Sequence, residues 1–335
     1  MSGSYPDNAP IRARLSSPGH HEGEGRRRPL RMLVTEREGQ VVSALVELGW
    51  QQDEFDVLAL GRRDLDLADK QSIDGAIKAR QPDVIVSAAA YTAVDQAETD
   101  KASAHAVNGF ASGEIGRVAS RLGIPAIYLP TDYAFDGNKT SLYQETDHKN
   151  PLSVYGSSKL EGQHALAAAT DNHVILLTAW VYSPIGRNFL KTMLNVAGTR
   201  DRLNVIDDQH GNPTSAVDIA DAILAVAHNL LQDQAIELRG TFYLAGQGPA
   251  SWADFAAGIF ERSRLLGGSS AELARISSAD YLTAAKRHAS SRLDATKLTS
   301  LRGVTLTPWQ RSMETVISRC LPLRDIRQPN PRNVQ

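Results

Sequence analysis

Tyr155-Gly156-Ser157-Ser158-Lys159 is the stretch whose reading decides the fold. A tyrosine and a lysine four positions apart on a helix share one face. There an ammonium can lower the phenol's pKa and make it a usable proton donor or acceptor near neutral pH. The pair alone is weak evidence, because chance supplies it and an exposed helix pair explains it. Its setting gives it weight. About two dozen residues earlier, Thr131-Asp132-Tyr133 follows the apolar run Ala126–Leu129. A hydroxyl such as Thr131, arriving from the end of a neighbouring strand, can hold a substrate oxygen beside the phenol. Its bland role is to cap local backbone.

Outward from this stretch, strands and helices alternate. Leu30–Thr35 reads as a short buried strand, Gly39–Leu48 as a helix, Asp56–Leu60 as a strand and Asp69–Arg80 as a helix. Val84–Ser87 is a third strand, bounded by Pro82 and the small run Ala88-Ala89-Ala90. Lys101–Leu122 has helical periodicity and stops at Gly123-Ile124-Pro125. Ala126–Leu129 is the fourth strand, Tyr155–Ala169 a helix and His173–Thr178 the fifth strand. This alternation predicts an α/β chain with a doubly wound parallel sheet and helices on both faces. Ligands on such sheets lie beyond the carboxyl ends of the strands. Thr35, Arg62, Ala88, Thr131 and Trp180 all fall at or just after those ends, which argues for one shared cleft. After Trp180 the alternation loosens. Asn188–Val196, Ser215–Leu231 and Trp252–Ser263 read as helices, and Gly240–Leu244 as a strand. Residues 30–178 are thus expected to form the main sheet domain. Residues 179–325 are expected to supply a smaller α/β substrate lobe, with segments returning to the sheet.

The remaining stretches, 1–29 and 326–335, read as tails. The first is rich in Ser, Gly, Pro, Arg and His and sparse in apolar residues, the composition of a disordered leader. His20-His21 and Arg26-Arg27-Arg28 read as parts of that solvated leader. Over 335 residues, 36 Lys and Arg oppose 38 Asp and Glu. Such a balance gives no global drive towards nucleic acid or a membrane surface. The single cysteine, Cys320, excludes an intramolecular disulfide and suits a reducing cytoplasm. No apolar run reaches the roughly 18 residues of a spanning helix, and no secretory signal pattern opens the chain.

Further ordered stretches carry a resemblance. Pro82-Asp83-Val84-Ile85-Val86 leads into Ala88-Ala89-Ala90-Tyr91-Thr92-Ala93-Val94-Asp95, with Glu98 following. Thr131-Asp132-Tyr133-Ala134-Phe135-Asp136-Gly137 and Pro151 through Lys159 come next. Trp180-Val181-Tyr182, Asn188-Phe189, Asp208-Gln209-His210-Gly211-Asn212-Pro213-Thr214 and Gly240-Thr241-Phe242-Tyr243-Leu244-Ala245 follow. Ser251-Trp252, Lys286-Arg287 and Arg292-Leu293-Asp294 complete the pattern. From Leu30 to about Arg319 the chain resembles the dTDP-4-dehydrorhamnose reductase family of the extended short-chain dehydrogenase/reductase superfamily.

That resemblance implies a Rossmann-like fold, NADPH or NADH as cofactor, and a nucleotide-linked 4-keto-6-deoxy sugar as substrate. Carried over by position, Tyr155 protonates the C4 oxygen as hydride arrives. Lys159 lowers the phenol's pKa and binds the nicotinamide ribose, and Thr131 hydrogen-bonds the reacting oxygen. Gly39, Gln40, Val41, Arg62, Asp66, Leu67, Ala88, Ala89, Ala90, Tyr91 and Asn108 line or brace the cofactor groove. Thr92, Val94, Asp132, Tyr133, Phe135, Trp180, Asn188 and Arg287 face the substrate. The family allows a homodimer and can hold magnesium (Mg2+) at a subunit contact. Asp132, Asp136 and Asp208 could be read as an acid cluster, but their flanking Gly and Pro mark turn residues, so no metal ligand is assigned.

Several positions resist this pattern. The family expects Gly-x-x-Gly-x-x-Gly after the first strand, where this chain has Glu36, Gly39 and Val42. The lost glycines serve a tight turn and close helix packing. Glu36 and Glu38 also place carboxylates near the expected pyrophosphate. The expectations are weakened dinucleotide binding and a first helix pushed away from the strand by Val42. Leu177 stands where relatives often have arginine, and His288 where they usually have proline. Arg62 and Arg63 suit the 2′-phosphate of NADP, or form a plain basic turn. Core is the bland alternative for Trp180, which is read here as functional, and His210 reads as structural. Two other functions stay open: a non-catalytic relative, like the regulatory beta subunit of methionine adenosyltransferase, and a reductase of another nucleotide sugar. The broken loop favours the first of these; the intact Thr131, Tyr155 and Lys159 oppose it.

Overall fold

Short apolar runs alternating with helical segments build the first half of the chain: β1 (Leu30–Thr35), α1 (Gln40–Gln52), β2 (Phe55–Leu60), α2 (Lys70–Arg80), β3 (Val84–Ser87), α3 (Val94–Ala97), α4 (Lys101–His105), α5 (Ala111–Leu122), β4 (Ala126–Tyr128), α6 (Val154–Ala169) and β5 (His173–Leu177). The second half adds β6 (Val181–Tyr182), α7 (Phe189–Ala197), β7 (Arg202–Ile206), β8 (His210–Gly211), β9 (Thr214–Ser215), α8 (Ala216–Gln232), β10 (Gly240–Tyr243), β11 (Ala250–Ser251), α9 (Trp252–Leu265), β12 (Glu272–Ile276), α10 (Thr296–Arg302) and α11 (Trp309–Cys320). The structure is a computed structural model that describes residues 28–281 and 283–321. The tail readings for residues 1–27 and 326–335 lie outside the described residues.

Six strands pair in parallel in the order β10-β5-β4-β3-β1-β2. Parallel strands buried on both faces read as continuous apolar runs, which is why β1, β3 and β5 are legible from sequence. Successive side chains leave opposite faces of the sheet. Met32, Val34, Val84 and Val86 enter one core together with Val42 and Leu45 of α1 and Ile219 and Ile223 of α8. Leu33 and Ile85 enter the other, with Ile73 and Ile77 of α2 and Ile115 of α5. Val42, expected to hold α1 away, is fully buried in the first core. A glycine there would open a cavity.

The strand order reverses beside β1, so a crevice opens at the carboxyl ends of β1 and β3. Thr35 stitches its floor by accepting the backbone N–H groups of Ala88 at 3.2 Å and Ala89 at 3.3 Å. The segment read as one helix, Lys101–Leu122, is interrupted by a π-helical turn at Ala106–Phe110. Such turns concentrate at functional sites, and this one carries Asn108 inward. Beyond β5 the chain forms two-stranded pairings, β12 with β7, β11 with β8 and β6 with β9. A separate core of Tyr182, Leu190, Phe255, Ile259 and Trp309 lies among them. Two segments return to the first half: β10 pairs with β5, and α8 packs on α1.

At the start, Arg28 makes a two-point ion pair with Asp83, both bonds 2.8 Å. Asp83 also accepts the Arg31 N–H at 2.7 Å. Composition had placed Arg28 in the leader, because it cannot reveal a partner 55 residues away. No helix among the described residues is long and apolar enough to cross a membrane.

Candidate active site

Ser153 starts α6 by accepting the Gly156 N–H at 3.1 Å, which sets Tyr155 in the first turn and Lys159 one turn on. The helix lies close on the π-helical turn, because a Cβ on Gly162 would sit 2.0 Å from the Asn108 carbonyl oxygen. Lys159 is consequently buried, at 2% exposure, with its ammonium 4.7 Å from the centre of the Tyr128 ring. Burial lowers its pKa to about 7, and the Glu36 carboxylate opposes that shift. Tyr155 is displaced the other way. Burial raises its phenol well above the ordinary value, Thr131 opposes by hydrogen bonding, and Asp132 and Tyr133 add to the rise. The lysine was expected to lower this phenol's pKa; burial decides the sign instead. A phenol held protonated at neutral pH is the form that can donate.

Thr131 extends the β4–β5 pairing by a bridge to Thr178. Its hydroxyl donates to Asp132 Oδ1 at 3.0 Å and accepts the Tyr133 N–H at 3.3 Å. Asp132, read as substrate-binding, is only 2% exposed. The Ser291 hydroxyl donates to its Oδ2, and His288 Nε2 stands 3.4 Å from the same oxygen. It is a buried anchor that orients Thr131. Phe135, also read as substrate-binding, is fully buried and stacked on Tyr143 with ring centres 4.0 Å apart. It belongs to the core.

Tyr133 does face the site: its ring meets the Tyr155 ring edge-on at 5.4 Å. The Arg287 guanidinium donates to the Tyr133 hydroxyl and pairs with Asp95 at 2.9 Å. Arg287, Tyr133 and Tyr155 are therefore contiguous. Thr92 is exposed and Val94 half-buried where α3 begins. Trp180 follows the Thr178 bridge in a left-handed conformation, φ 47°, that a non-glycine residue adopts under strain. Its ring stacks on Trp252, with centres 3.5 Å apart and planes within 5°. Trp252, from the Ser251-Trp252 stretch, thereby joins Trp180 at the site, a pairing that spacing in the chain does not signal. Asn188 caps α7 by accepting the Lys191 N–H at 3.1 Å, and it donates to Gln40 Oε1 at 2.9 Å. That bond ties the predicted substrate side to the start of α1. No sequence signal announces it, because the partners lie 148 positions apart.

On the cofactor side, Asn108 accepts the Tyr91 N–H at 2.9 Å and donates to the Tyr91 carbonyl at 3.3 Å and to Ser158 Oγ at 2.9 Å. Asn108→Ala is expected to cost about 2–3 kcal/mol, the scale for leaving buried polar partners unsatisfied. Urea unfolding checks this; an unchanged midpoint would remove the bracing role. A groove of about 830 Å³ runs from Thr35 and Glu36 past Ala89 and Ala90 to Arg62, Asp66 and Leu67. Ala88 adjoins it, and Gly39, Gln40 and Val41 open α1 at its edge. Arg62 and Arg63 are exposed at its β2 end. Asp66 folds a local turn by accepting the Ala68 N–H at 2.9 Å.

Among the described residues, no group of three or more His, Cys, Asp or Glu side chains could hold a metal ion. Asp136 accepts from Asn138 and Tyr143, and Asp208 from Ser277 and Ser278.

The family model described as "RmlD substrate binding domain" matches residues 30–321. The chain belongs to the RmlD family. It is 44% identical over 288 residues to a dTDP-4-dehydrorhamnose reductase of Sinorhizobium fredii (strain NBRC 101917 / NGR234), covering 86% of this chain and 97% of that relative. A second dTDP-4-dehydrorhamnose reductase, from Aggregatibacter actinomycetemcomitans, is 38% identical over 85% of this chain and 98% of its own. Among solved structures, the dTDP-4-dehydrorhamnose reductase of Bacillus anthracis str. Ames in complex with NADP superposes with a TM-score of 0.80 at 26% identity, covering 87% of this chain and 99% of that one. The Clostridium acetobutylicum ATCC 824 enzyme of the same name also gives 0.80, at 31% identity, over 86% and 99% of the two chains. The RmlD fold thus accounts for the sheet, the crevice and the smaller pairings beyond β5.

Proposed function

We infer that this RmlD-family chain is a dTDP-4-dehydrorhamnose reductase, reducing the C4 keto group of dTDP-4-dehydro-L-rhamnose to give dTDP-L-rhamnose, with NADPH as the preferred donor. The observation that carries this reading is the Tyr155 phenol beside the Thr131 hydroxyl, with Lys159 on the same helix face, at the carboxyl end of the sheet. NADPH, when bound, supplies the hydride. Tyr155 supplies the proton to the C4 oxygen. Thr131, oriented by Asp132, fixes that oxygen, and Lys159 would hold the ribose nearest the nicotinamide.

The groove beside Ala89 and Ala90 suits the dinucleotide in size and position, and the Arg62 and Arg63 cations at its β2 end suit a 2′-phosphate. Their presence favours NADPH over NADH. Arg287, held by Asp95 and Tyr133, presents a cation to the sugar's diphosphate. Arg287→Ala is expected to raise the Michaelis constant about tenfold with a smaller change in turnover, the pattern of lost ground-state binding. A fall in turnover at constant Michaelis constant would move Arg287 out of the binding role.

The test is substrate-dependent NADPH oxidation with dTDP-4-dehydro-L-rhamnose, run beside UDP- and GDP-linked 4-keto sugars. Preference for the dTDP sugar supports the reading. Turnover confined to another nucleotide sugar would reassign the substrate, and NADPH binding without turnover on any of them would favour the non-catalytic reading.

A further inference from the structure

Glu36 stands in the turn between β1 and α1, where a carboxylate is least expected beside a dinucleotide. Its side chain does not project into solvent. It folds back over Gly39, so closely that a Cβ on Gly39 would lie 2.0 Å from Glu36 Oε2. Glu36 is half-buried, whereas Glu38, two residues on, is exposed. Gly39 gives α1 no side-chain cap, so this helix start has an unfilled preference for an anion.

The charge that bears on this carboxylate is the buried Lys159 ammonium. Burial raises the Glu36 carboxyl, and the Lys159 cation is the charge that opposes the rise. The relation is mutual, since Glu36 opposes the lowering of Lys159. The other charged groups of the groove are Arg37, paired with Asp64, and the exposed Glu38, Arg62, Arg63 and Asp66.

We propose that Glu36 is an internal stand-in for the cofactor's diphosphate, seated on Gly39 at the start of α1 in the free protein and expelled when dinucleotide enters. The inference rests on the reductase reading of this site. Diphosphates bind at the N-terminus of the helix after the first strand of such sheets. A carboxylate lying over Gly39 fills the space the diphosphate would take and repels its charge. It also keeps the buried Lys159 from standing alone while the groove is open. Glu36 therefore weakens cofactor binding by occupying the site, a role distinct from the loss of glycine flexibility.

The test uses ADP-ribose, whose diphosphate keeps constant charge near neutral pH and which lacks the nicotinamide. Its affinity for the full chain is measured by isothermal titration calorimetry with wild type, Glu36→Gln and Glu36→Gly, and NADPH is titrated in parallel. Both variants are expected to bind ADP-ribose about tenfold or more tightly than wild type. The near-isosteric Glu36→Gln serves if the glycine variant loosens the turn. If wild type and Glu36→Gln bind ADP-ribose equally well, the carboxylate is no occupant and the proposal falls, while the reductase reading stands. If none of the three chains binds either ligand, the cofactor reading fails and takes the proposal with it.

Discussion

Tyr155→Phe is expected to lower turnover by about 100-fold or more, the usual scale for removing a positioned acid, with little change in substrate binding. The expectation follows from where the phenol sits. It is partly buried, hydrogen-bonded to Thr131 and edge-on to Tyr133, and its raised pKa keeps the proton in place until a reacting oxygen accepts it. Phenylalanine preserves the ring contact with Tyr133 and deletes only the hydroxyl. Steady-state kinetics read the effect directly. Undiminished turnover would remove Tyr155 from the chemistry, and a collapse of substrate affinity would mark it as a binding group instead.

Lys159→Met is expected to abolish most turnover and, independently, to change how stability depends on pH. The Lys159 pKa falls to about 7 in the folded protein, from an ordinary value of 10.5. Between those values the unfolded chain holds a proton that the folded chain has released. Stability therefore rises with pH across that window, by at most about 1.4 kcal/mol per pH unit from this group. Below about pH 7 both states are protonated and the cost of burying the charge is fully present. Methionine fills similar volume without a charge, so the variant should lack this contribution. Urea unfolding of both proteins at several pH values between 7 and 10 checks the slope. Parallel stability curves for the two chains would mean that Lys159 is not held uncharged by burial.

β1 and β3 were legible to the residue, because their fully buried stretches, residues 32–34 and 84–86, are continuous apolar runs each followed by a hydroxyl residue, Thr35 or Ser87. The helical face shared by Tyr155 and Lys159 was legible from spacing alone. Depth was not. The same spacing describes an exposed pair in which the cation acts on the phenol and a buried pair in which desolvation governs both groups. Asp132 and Phe135 misled for a related reason. They sit in one contiguous motif with Thr131 and Tyr133, but the short 3₁₀ turn Asp132–Ala134 directs neighbouring side chains to different surroundings. Asp132 goes to Ser291 and His288, and Phe135 to Tyr143. The π-helical turn left no trace, since apolar periodicity runs through it unbroken. Glu36 was recognised as out of place, yet whether it faced solvent or Lys159 depended on a partner 123 positions away that no local pattern encodes.

This chain is expected to reduce a sugar ketone at C4 with hydride taken from a nicotinamide. The most direct measurement incubates the protein with NADPH deuterated at the transferable position of the nicotinamide and with dTDP-4-dehydro-L-rhamnose, then reads the product by mass spectrometry. The predicted result is dTDP-L-rhamnose carrying a single deuterium at C4. Unlabelled product, or unreacted keto sugar in the presence of protein shown to bind NADPH, would contradict it.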